Sequence, residues 1–524
     1  MVGILGLLSQ LIIDTSFSWI RMLIALFLSV IVSIAIGIFA ARSKTAGRII
    51  IPILDVFQTL PILAFFPFVI YIVVATLPGY IGINAAVIFL IVTSMVWNIA
   101  FGVYESITTL PGEFIEAARV YGMSRLARLR KIFIPACMPR VAEQSVLSWA
   151  IGLFYLVTSE IFSTGNANYA VKYGIGVEIT KLAFSGNLVY YATGILVFIG
   201  FVVATRFLIF VPFEHYSTRY TEGKKKARRW TISLPLARSS VRERAYHAHA
   251  PRLHMFYQHA HREQAAQKIH PKQAIKNRAR LAYSVAFAFA AVIITLVVYS
   301  HRFLIGYEGQ TVVAIAASFA RVWGAFAVII IVAVPISVYL IFMAKRTGRY
   351  ILLFQVIASI PATILLPIIA LSFAGYPDHG EITAFLIFFL SGVWYVIFGA
   401  ISNSKTISSS VLDVKRVFGV RGILAWRKLY IGAIMPGLIT GAVTAIAGEW
   451  NASIVAEYFT TSGISGTTVV SSVGVGIGKL LDLSLANGNL VLLVTALINL
   501  TAMILIINTF VWKRLYRRVE RSSV

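Results

Sequence analysis

The sequence predicts an all-α, polytopic membrane protein made of two parallel repeats of five core helices plus one extra helix. Three observations carry that prediction. Of 524 residues, 59% are hydrophobic and only 13% charged, with a mean hydropathy of +0.84, a composition that a soluble domain of this size cannot keep in water. The apolar residues fall in stretches of the roughly 20 residues a helix needs to cross a hydrocarbon core, where unpaired backbone polar groups cost several kcal/mol. The chain also resembles itself at an offset of roughly 300 residues, the mark of a repeat architecture.

Eleven such stretches lie near 18–41, 49–76, 82–103, 143–162, 189–212, 281–300, 312–344, 350–375, 382–403, 433–458 and 489–512. Residues 1–17 are apolar but too short to span. Lacking a basic start, they read as an interfacial helix or a truncated first span, not a secretory signal. Orientation follows from Lys and Arg. Alternate connections carry Arg42, Lys44 and Arg48, the cluster at 119–140, then Lys345, Arg346 and Arg349, the cluster at 405–428 and the tail at 513–521. The intervening connections are poor in base, so the positive-inside rule places the first set, the 213–280 segment and the C-terminus in the cytoplasm. The formal charge of +26 therefore belongs to loops at a membrane surface and does not call for nucleic acid.

The repeat is detailed. Ser18 and Arg21 return as Ser318 and Arg321, and Pro61 and Pro67 as Pro361 and Pro367. Arg119, Gly122, Arg130-Lys131, Pro139 and Glu160 return 297 residues later as Arg416, Gly419, Arg427-Lys428, Pro436 and Glu457. Further on, Gly174-x-Gly176 aligns with Gly474-x-Gly476, and Gly186-Asn187 with Gly488-Asn489. Five core spans is an odd number, so direct concatenation would invert the second copy, and the extra span at 281–300 restores parity. Both copies then face the same way about a pseudo-twofold axis along the membrane normal. The chain divides into an N-terminal apolar segment (1–17), a first repeat (18–212), a basic His-rich cytoplasmic linker (213–280), an extra helix with an external loop (281–310) and a second repeat (311–524).

The linker holds 16 of the 46 basic residues and seven of the nine histidines. Its run Lys224-Lys225-Lys226-Ala227-Arg228-Arg229 suits anionic membrane lipid, at about 1 kcal/mol per basic residue, or a solvated tether. His247, His249, His254, His259 and His261 lack a Cys or carboxylate scaffold and read as an unstructured tract, not a metal site. Cys137 is the only cysteine, which excludes an intramolecular disulfide and a Cys-based metal centre.

Between the third and fourth core spans stands Glu116-Ala117-Ala118, three residues, Gly122, nine residues, then Ile132-Phe133-Ile134-Pro135. Pro111-Gly112 ends the preceding structure, Glu113 and Glu116 suit a helix start, and Gly122 breaks the helix. The pattern resembles the cytoplasmic EAA loop of binding-protein-dependent ABC importer permeases, with Ile134 in place of Leu. The resemblance implies a type I importer permease fold and a short coupling helix that enters a groove on a nucleotide-binding subunit, with Ala117, Ala118 and Gly122 small enough for it to seat closely. In the second copy Asp413-Val414-Lys415 replaces Glu-Ala-Ala and Gly432 replaces the proline, while Gly419 keeps the frame.

The Ser-x-x-Arg pairs, the proline spacing and Glu160 or Glu457 followed by Gly-x-Gly look like the nitrate/sulfonate/taurine branch, and the duplicated layout like its fused anion-transport permeases. Ionisable groups at membrane depth point to function, which selects Asp55, Glu160, Glu449 and Glu457 as pathway or gate candidates. Gln355 joins them as the repeat partner of Asp55, and Gly152 is the partner of Glu449.

The chain lacks chemistry of its own. Gly474-x-Gly476-x-Gly478-Lys479 fails the phosphate-loop pattern, since Leu480 stands where Ser or Thr must hold magnesium. The resemblance then implies a fused transmembrane subunit of an ATP-driven importer, in the inner membrane, with no cofactor or metal of its own. Two ATPase subunits would supply ATP and Mg chemistry, and an extracytoplasmic solute-binding protein would deliver a small solute such as nitrate, sulfonate or bicarbonate. An ion-coupled secondary transporter, favoured by the buried carboxylates, and a membrane scaffold are the competing readings.

Overall fold

Nothing between residues 2 and 42 breaks a helix. The stretch holds no proline, and Thr15 and Ser16 donate their hydroxyls back to the carbonyls of Leu11 and Ile12 at 2.6 and 2.7 Å, which a helix accommodates. It forms one helix, α1 (Val2–Arg42), of 41 residues and about 60 Å. Residues 2–17 are therefore not a separate interfacial or truncated segment, because α1 runs straight through them, burying Leu11 and Asp14. The computed structural model describes residues 2–164, 171–217, 301–343, 357–403, 419 and 422–515, apart from 60, 78, 359, 464, 465 and 513.

The second core span is broken. α2 (Lys44–Thr59) stops before Pro61, a 3-10 turn covers Ile62–Phe65, and α3 (Phe66–Thr76) resumes with Pro67 in its first turn. Proline lacks the donor a helix interior needs and biases the residue before it away from helix. There follow α4 (Tyr80–Thr108), α5 (Gly112–Val120), a short turn Arg125–Arg128, a π-helical segment Leu129–Phe133 and α6 (Ile134–Thr164). The half closes with α7 (Ile175–Phe184), α8 (Leu188–Thr205) and α9 (Val211–Ser217).

The second half repeats this order. α10 (His301–Val338) corresponds to α1; a 3-10 turn at Ala362–Leu365 precedes α11 (Leu366–Phe373); α12 (His379–Asn403) and α13 (Ile431–Ala456) correspond to α4 and α6. Residues 301–310, expected as part of an external loop, are helical and belong to α10. A hairpin, β1 (Tyr458–Gly463) with β2 (Gly466–Ser472), then leads to α14 (Ile477–Ala486) and α15 (Leu490–Ile507). The strands are antiparallel, Tyr458 opposite Ser472, with an irregularity between Phe459 and Thr460. They use β-branched residues and occupy the place where the second copy is five residues longer between Glu457 and Gly476 than the first between Glu160 and Gly174.

Among the described residues, eight helices are long and apolar enough to cross a membrane. The two proline-broken spans and the 281–300 span, which lies outside the described residues, account for the difference from eleven. The largest core cluster runs through both halves, from Trp19 and Met22 on α1, Met95 on α4 and Leu156 on α6 to Val322 on α10, Phe388 on α12 and Trp450 on α13. A smaller cluster of Ile38, Ile99, Val103, Phe133 and Cys137 underlies α5, with Ile115 and Phe213 packed on it.

Candidate coupling loop and transport core

The base-rich end of the first half is organised by α5. Pro111 starts it, Glu113 lies in its first turn, and it ends where Gly122 takes φ +62, a left-handed conformation that glycine adopts without a Cβ penalty. Tyr121 N donates to Ala117 O at 2.9 Å and Met123 N to Ala118 O at 2.9 Å, which satisfies the last carbonyls of the helix. Ser124 then caps the next turn, accepting from Ala127 N at 3.2 Å. The loop is thus hydrogen-bonded at both of its bends and seated on a packed cluster.

Its two faces differ. Ile115 and Ala118 face inward, Ala118 being 2% exposed, whereas Glu116, Ala117 and Gly122 are exposed together with Phe114, Val120, Tyr121 and Leu126. Ala118 was expected to let the helix seat against a partner; it seats α5 on the protein's own helices instead, since a helix of this length can bury only one side. Large apolar side chains projecting beside Arg119 and Arg125 make the outer face a surface that suits another protein. In the second half Gly419 takes φ +61, matching Gly122, and Ile423, the counterpart of Leu126, is 87% exposed. Asp413 lies outside the described residues.

At the opposite end each half closes on a buried carboxylate. Glu160, 0% exposed, accepts from Ser18 Oγ and Arg21 Nη1 at 2.7 Å each and from Gly176 N at 2.8 Å. Arg21 also donates to Asn84 Oδ1 at 2.6 Å and to Tyr173 O at 2.5 Å, and Ser18 Oγ accepts from Ile175 N at 3.0 Å. The second half repeats the device: Glu457, also 0% exposed, accepts from Gly478 N at 2.8 Å and from Arg321 Nη1 at 3.3 Å, Ser318 Oγ accepts from Ile477 N at 2.8 Å, and Arg321 further binds Glu381. Glu160 therefore clamps α1, α6 and α7 together, and Glu457, at the end of α13, clamps that helix to α10 and α14. The glycines make room for them: a Cβ on Gly174 would lie 2.6 Å from Glu160 Cδ, and one on Gly476 2.3 Å from Glu457 Oε2.

This geometry corrects the alignment. Gly174-Ile175-Gly176 is equivalent to Gly476-Ile477-Gly478, not to Gly474-x-Gly476, because Ile175 N and Ile477 N meet Ser18 and Ser318, and Gly176 N and Gly478 N meet the two glutamates. The extra hairpin residues moved the motif, and a chance glycine at 474 disguised the shift. Lys479 donates to the carbonyls of Val473 and Gly474 at 2.8 and 3.1 Å.

The broken spans meet the other half. Leu63 N, in the turn after Pro61, donates to Asn451 Oδ1 of α13 at 3.2 Å. In the opposite sense, Thr158 of α6 lies 3.1 Å from Thr363 Oγ1, and Tyr191 of α8 donates to Ile364 O at 2.8 Å. Leu63 and Thr363 are repeat partners, so the contacts are reciprocal, as two-fold-related halves require. Breaking a helix in an apolar interior frees backbone groups that another element must satisfy, and here the opposing half does so. Sequence reasoning missed Asn451, Thr158, Thr363 and Tyr191, because none is charged at neutral pH and the partners differ between copies. Asp55 lies on α2, its side chain outside the described set, and Gln355 lies outside the described residues altogether. Glu449 is 0% exposed in α13 and faces Gly392 of α12.

The family described as binding-protein-dependent transport system inner membrane component matches residues 33–211 and again residues 333–522. The chain belongs to this family, twice over. Each matched interval begins inside the first core helix of its half, after Ser18 and Arg21 or Ser318 and Arg321, so the glutamate and glycine side of each clamp falls within it and the serine–arginine side precedes it. Curated relatives include the glycine betaine/proline betaine transport system permease protein ProW of Escherichia coli, 27% identical over 188 residues, 36% of this chain and 50% of the relative. The nitrate import permease protein NrtB of Leptolyngbya laminosa is 29% identical over 169 residues, 32% and 55% of the two chains. The bicarbonate transport system permease protein CmpB of Synechococcus elongatus is 27% identical over 140 residues, 26% and 47%. The match to the permease spans about half the length of these relatives. The chain is a duplicated ABC permease, a transport component of the inner membrane.

Proposed function

We propose that the chain is the fused transmembrane subunit of an ATP-driven importer that translocates a small solute delivered by an external binding protein. The observation that carries this reading is the α5 loop: a short helix, closed by left-handed Gly122 and seated on a packed cluster, that together with the turn after it presents Phe114, Tyr121 and Leu126 outward. Two ATPase subunits, one on each half, bind ATP and Mg, and their closure moves these loops. The base-rich ends, the 213–280 linker and the C-terminus are cytoplasmic, and the two halves share one orientation.

The substrate class we propose is a small solute bearing an oxyanion. Nitrate, bicarbonate and the carboxylate of betaine share that chemistry, and permeases named for them are relatives of this chain. The contacts between halves support it: amide, hydroxyl and backbone groups meet there, and none of these partners carries a negative charge that would repel an anion. Opening a path between the halves separates Leu63 from Asn451 and Thr158 from Thr363. Asn451→Leu leaves the Leu63 N–H unpaired, and we expect a loss of about 1–3 kcal/mol in stability, read as a lower melting temperature in detergent; unchanged melting would remove the contact from the account.

The test of the whole reading is co-purification in mild detergent followed by reconstitution. We expect a nucleotide-binding subunit to accompany the chain and solute uptake into liposomes to require ATP and a binding protein. Uptake by the purified chain alone, driven by an ion gradient, would overturn it. A second experiment addresses the linker: deletion within 230–270 should leave uptake unchanged, and loss of uptake with normal insertion would show that the segment does more than tether.

A further inference from the structure

The space between the halves has two unlike walls. On α13, Thr440, Thr444, Gly448 and Asn451 recur at helical spacing and share one face. The equivalent positions on α6, 297 residues earlier, are Glu143, Leu147, Ile151 and Phe154. This face turns to the opposing half, since Asn451 accepts from Leu63 N and Thr158, one turn beyond Phe154, meets Thr363. Both stripes are accessible over the same length. Thr440, Glu143 and Leu147 are exposed and Thr444, Gly448, Ile151 and Phe154 half-buried, whereas every residue from 155 to 161 and from 449 to 457 is buried. The space between α6 and α13 therefore opens toward the base-rich end and is shut where Leu63 meets Asn451.

The first half presents leucine, isoleucine and phenylalanine, Leu147 being 55% exposed, and the acid at the mouth, Glu143, is paired with Arg140 at 3.0 Å. The second half presents hydroxyls and an amide without charge, and Tyr395 of α12 joins them. A Cβ on Gly448 would lie 3.1 Å from Tyr395 Cε2, so the ring lies against the glycine, where the first half carries Ile151. The first-half counterpart of Tyr395 is Asn98, whose amide oxygen accepts from Gln58 Nε2 at 3.3 Å. Tyr395 is half-buried, and Tyr155 of the other half, 5% exposed, lies within electrostatic reach of it, which places the phenol at the boundary between halves. Thr444 donates to Thr440 O at 3.0 Å, a bond its hydroxyl can exchange by rotation. Asn451 donates one N–H to Ala447 O at 2.8 Å and keeps a second. Glu449 turns away from this stripe, to Gly392.

We infer that Tyr395, Thr444 and Asn451 form a one-sided subsite for the oxyanion of the transported solute, its donors all supplied by the second half, while Leu147, Ile151 and Phe154 of the first half form the apolar wall opposite. The inference rests on the reading of the chain as an importer of an oxyanion-bearing solute and names the side chains that meet it. Uncharged donors suit a site of transit. They replace water around the anion without the long-range pull of a fixed cation, and a transporter must release what it binds. Two halves that share a fold thus have unequal duties, one holding the solute and the other confining it.

The experiment puts a reporter on the opposite wall. Leu147→Cys stands at the position equivalent to Thr444 and leaves every donor in place, and Cys137 is buried, so a membrane-impermeant methanethiosulfonate reads the accessibility of position 147 in the full chain in nanodiscs. We expect Leu147→Cys to react, and nitrate, bicarbonate or glycine betaine to slow the reaction, whereas chloride, an anion without oxygen, does not. Tyr395→Phe keeps the ring and Thr444→Val keeps the shape. In the Leu147→Cys background each should raise the solute concentration needed for protection by about tenfold, the loss of one hydrogen bond to a charged group. A position 147 that does not react would show the face closed to water. Reaction that none of the three solutes slows would show a path without a subsite, and protection that survives both Tyr395→Phe and Thr444→Val would show that these side chains do not hold the solute. Each of these results overturns the assignment. Neither an ATPase nor a binding protein takes part, so failure here is separate from failure of the importer reading.

Discussion

Gly122→Trp and Glu116→Lys should each reduce substrate-stimulated ATP hydrolysis of the reconstituted complex by about tenfold or more, while the chain still inserts and purifies. The two changes act on the same surface by different means. Gly122 sits at φ +62 with nothing within 4 Å of an added Cβ, so an indole is sterically free within the chain, and its intramolecular cost is the left-handed backbone, about 1–2 kcal/mol for an L-residue. What the indole does meet is whatever covers the exposed end of α5. Glu116 is exposed on the same face, and lysine there reverses its charge with little effect on helix propensity. Gly186→Trp is the matched control. Gly186 has φ +70 and equally open surroundings, but it lies in the turn between α7 and α8, at the other end of the first half. If coupling is the cause, Gly122→Trp uncouples and Gly186→Trp does not. Equal losses in both would assign the effect to backbone strain, and unchanged stimulation in Gly122→Trp and Glu116→Lys would remove α5 from the coupling path.

The long helices and the α5 loop were legible in the sequence because each is set by local chemistry. Apolar length specifies a span, and Pro111, Glu113 and Gly122 mark the start and stop of α5 whatever surrounds it. The Ser-x-x-Arg, Glu and Gly-x-Gly signals were also visible, and the structure brings all three together in each half. What pattern reading could not supply was their meeting: that Glu160 needs a glycine opposite it is a fact of approach in space, and the same fact resolves the register between Gly174 and Gly476. The breaks after Pro61 and Pro361 were marked by the prolines, yet their apolar flanks read as continuous spans because hydropathy does not register a missing hydrogen bond. Asn451 and Tyr191 gave no signal, since a neutral residue that satisfies a backbone group in the other half looks like any polar residue in a helix. Ala118 erred in the opposite direction: being small suits docking outward or packing inward, and only burial distinguishes the two.

Arg21→Met should be the most destabilising single change at the clamps, costing about 3–5 kcal/mol. The pair it breaks is wholly enclosed, with side-chain exposures of 4% for Arg21 and 0% for Glu160 and an N–O distance of 2.7 Å. Removing the guanidinium leaves a buried carboxylate without its cationic partner, although Ser18 and Gly176 N still donate to it, and also orphans Asn84 Oδ1 and Tyr173 O. Arg321→Met should cost less. Arg321 is 17% exposed, its contact with Glu457 is longer at 3.3 Å, and Glu381, its other partner, is 40% exposed, so solvent screens part of what is lost. The double variant Arg21→Met with Glu160→Met decides whether the cost is an unpaired charge or lost shape. Replacing a buried ion pair by apolar groups of similar volume is often close to neutral, so the double variant should recover most of the loss. The remainder would be the groups left unsatisfied, the Gly176 N–H and the former acceptors Asn84 Oδ1 and Tyr173 O, at about 1–3 kcal/mol for each that stays buried. Melting of the four proteins in one detergent measures this directly. A double variant no more stable than Arg21→Met would mean that the clamp acts by shape and not by charge, and an Arg21→Met variant that melts with the wild type would show that it does not hold the half together at all.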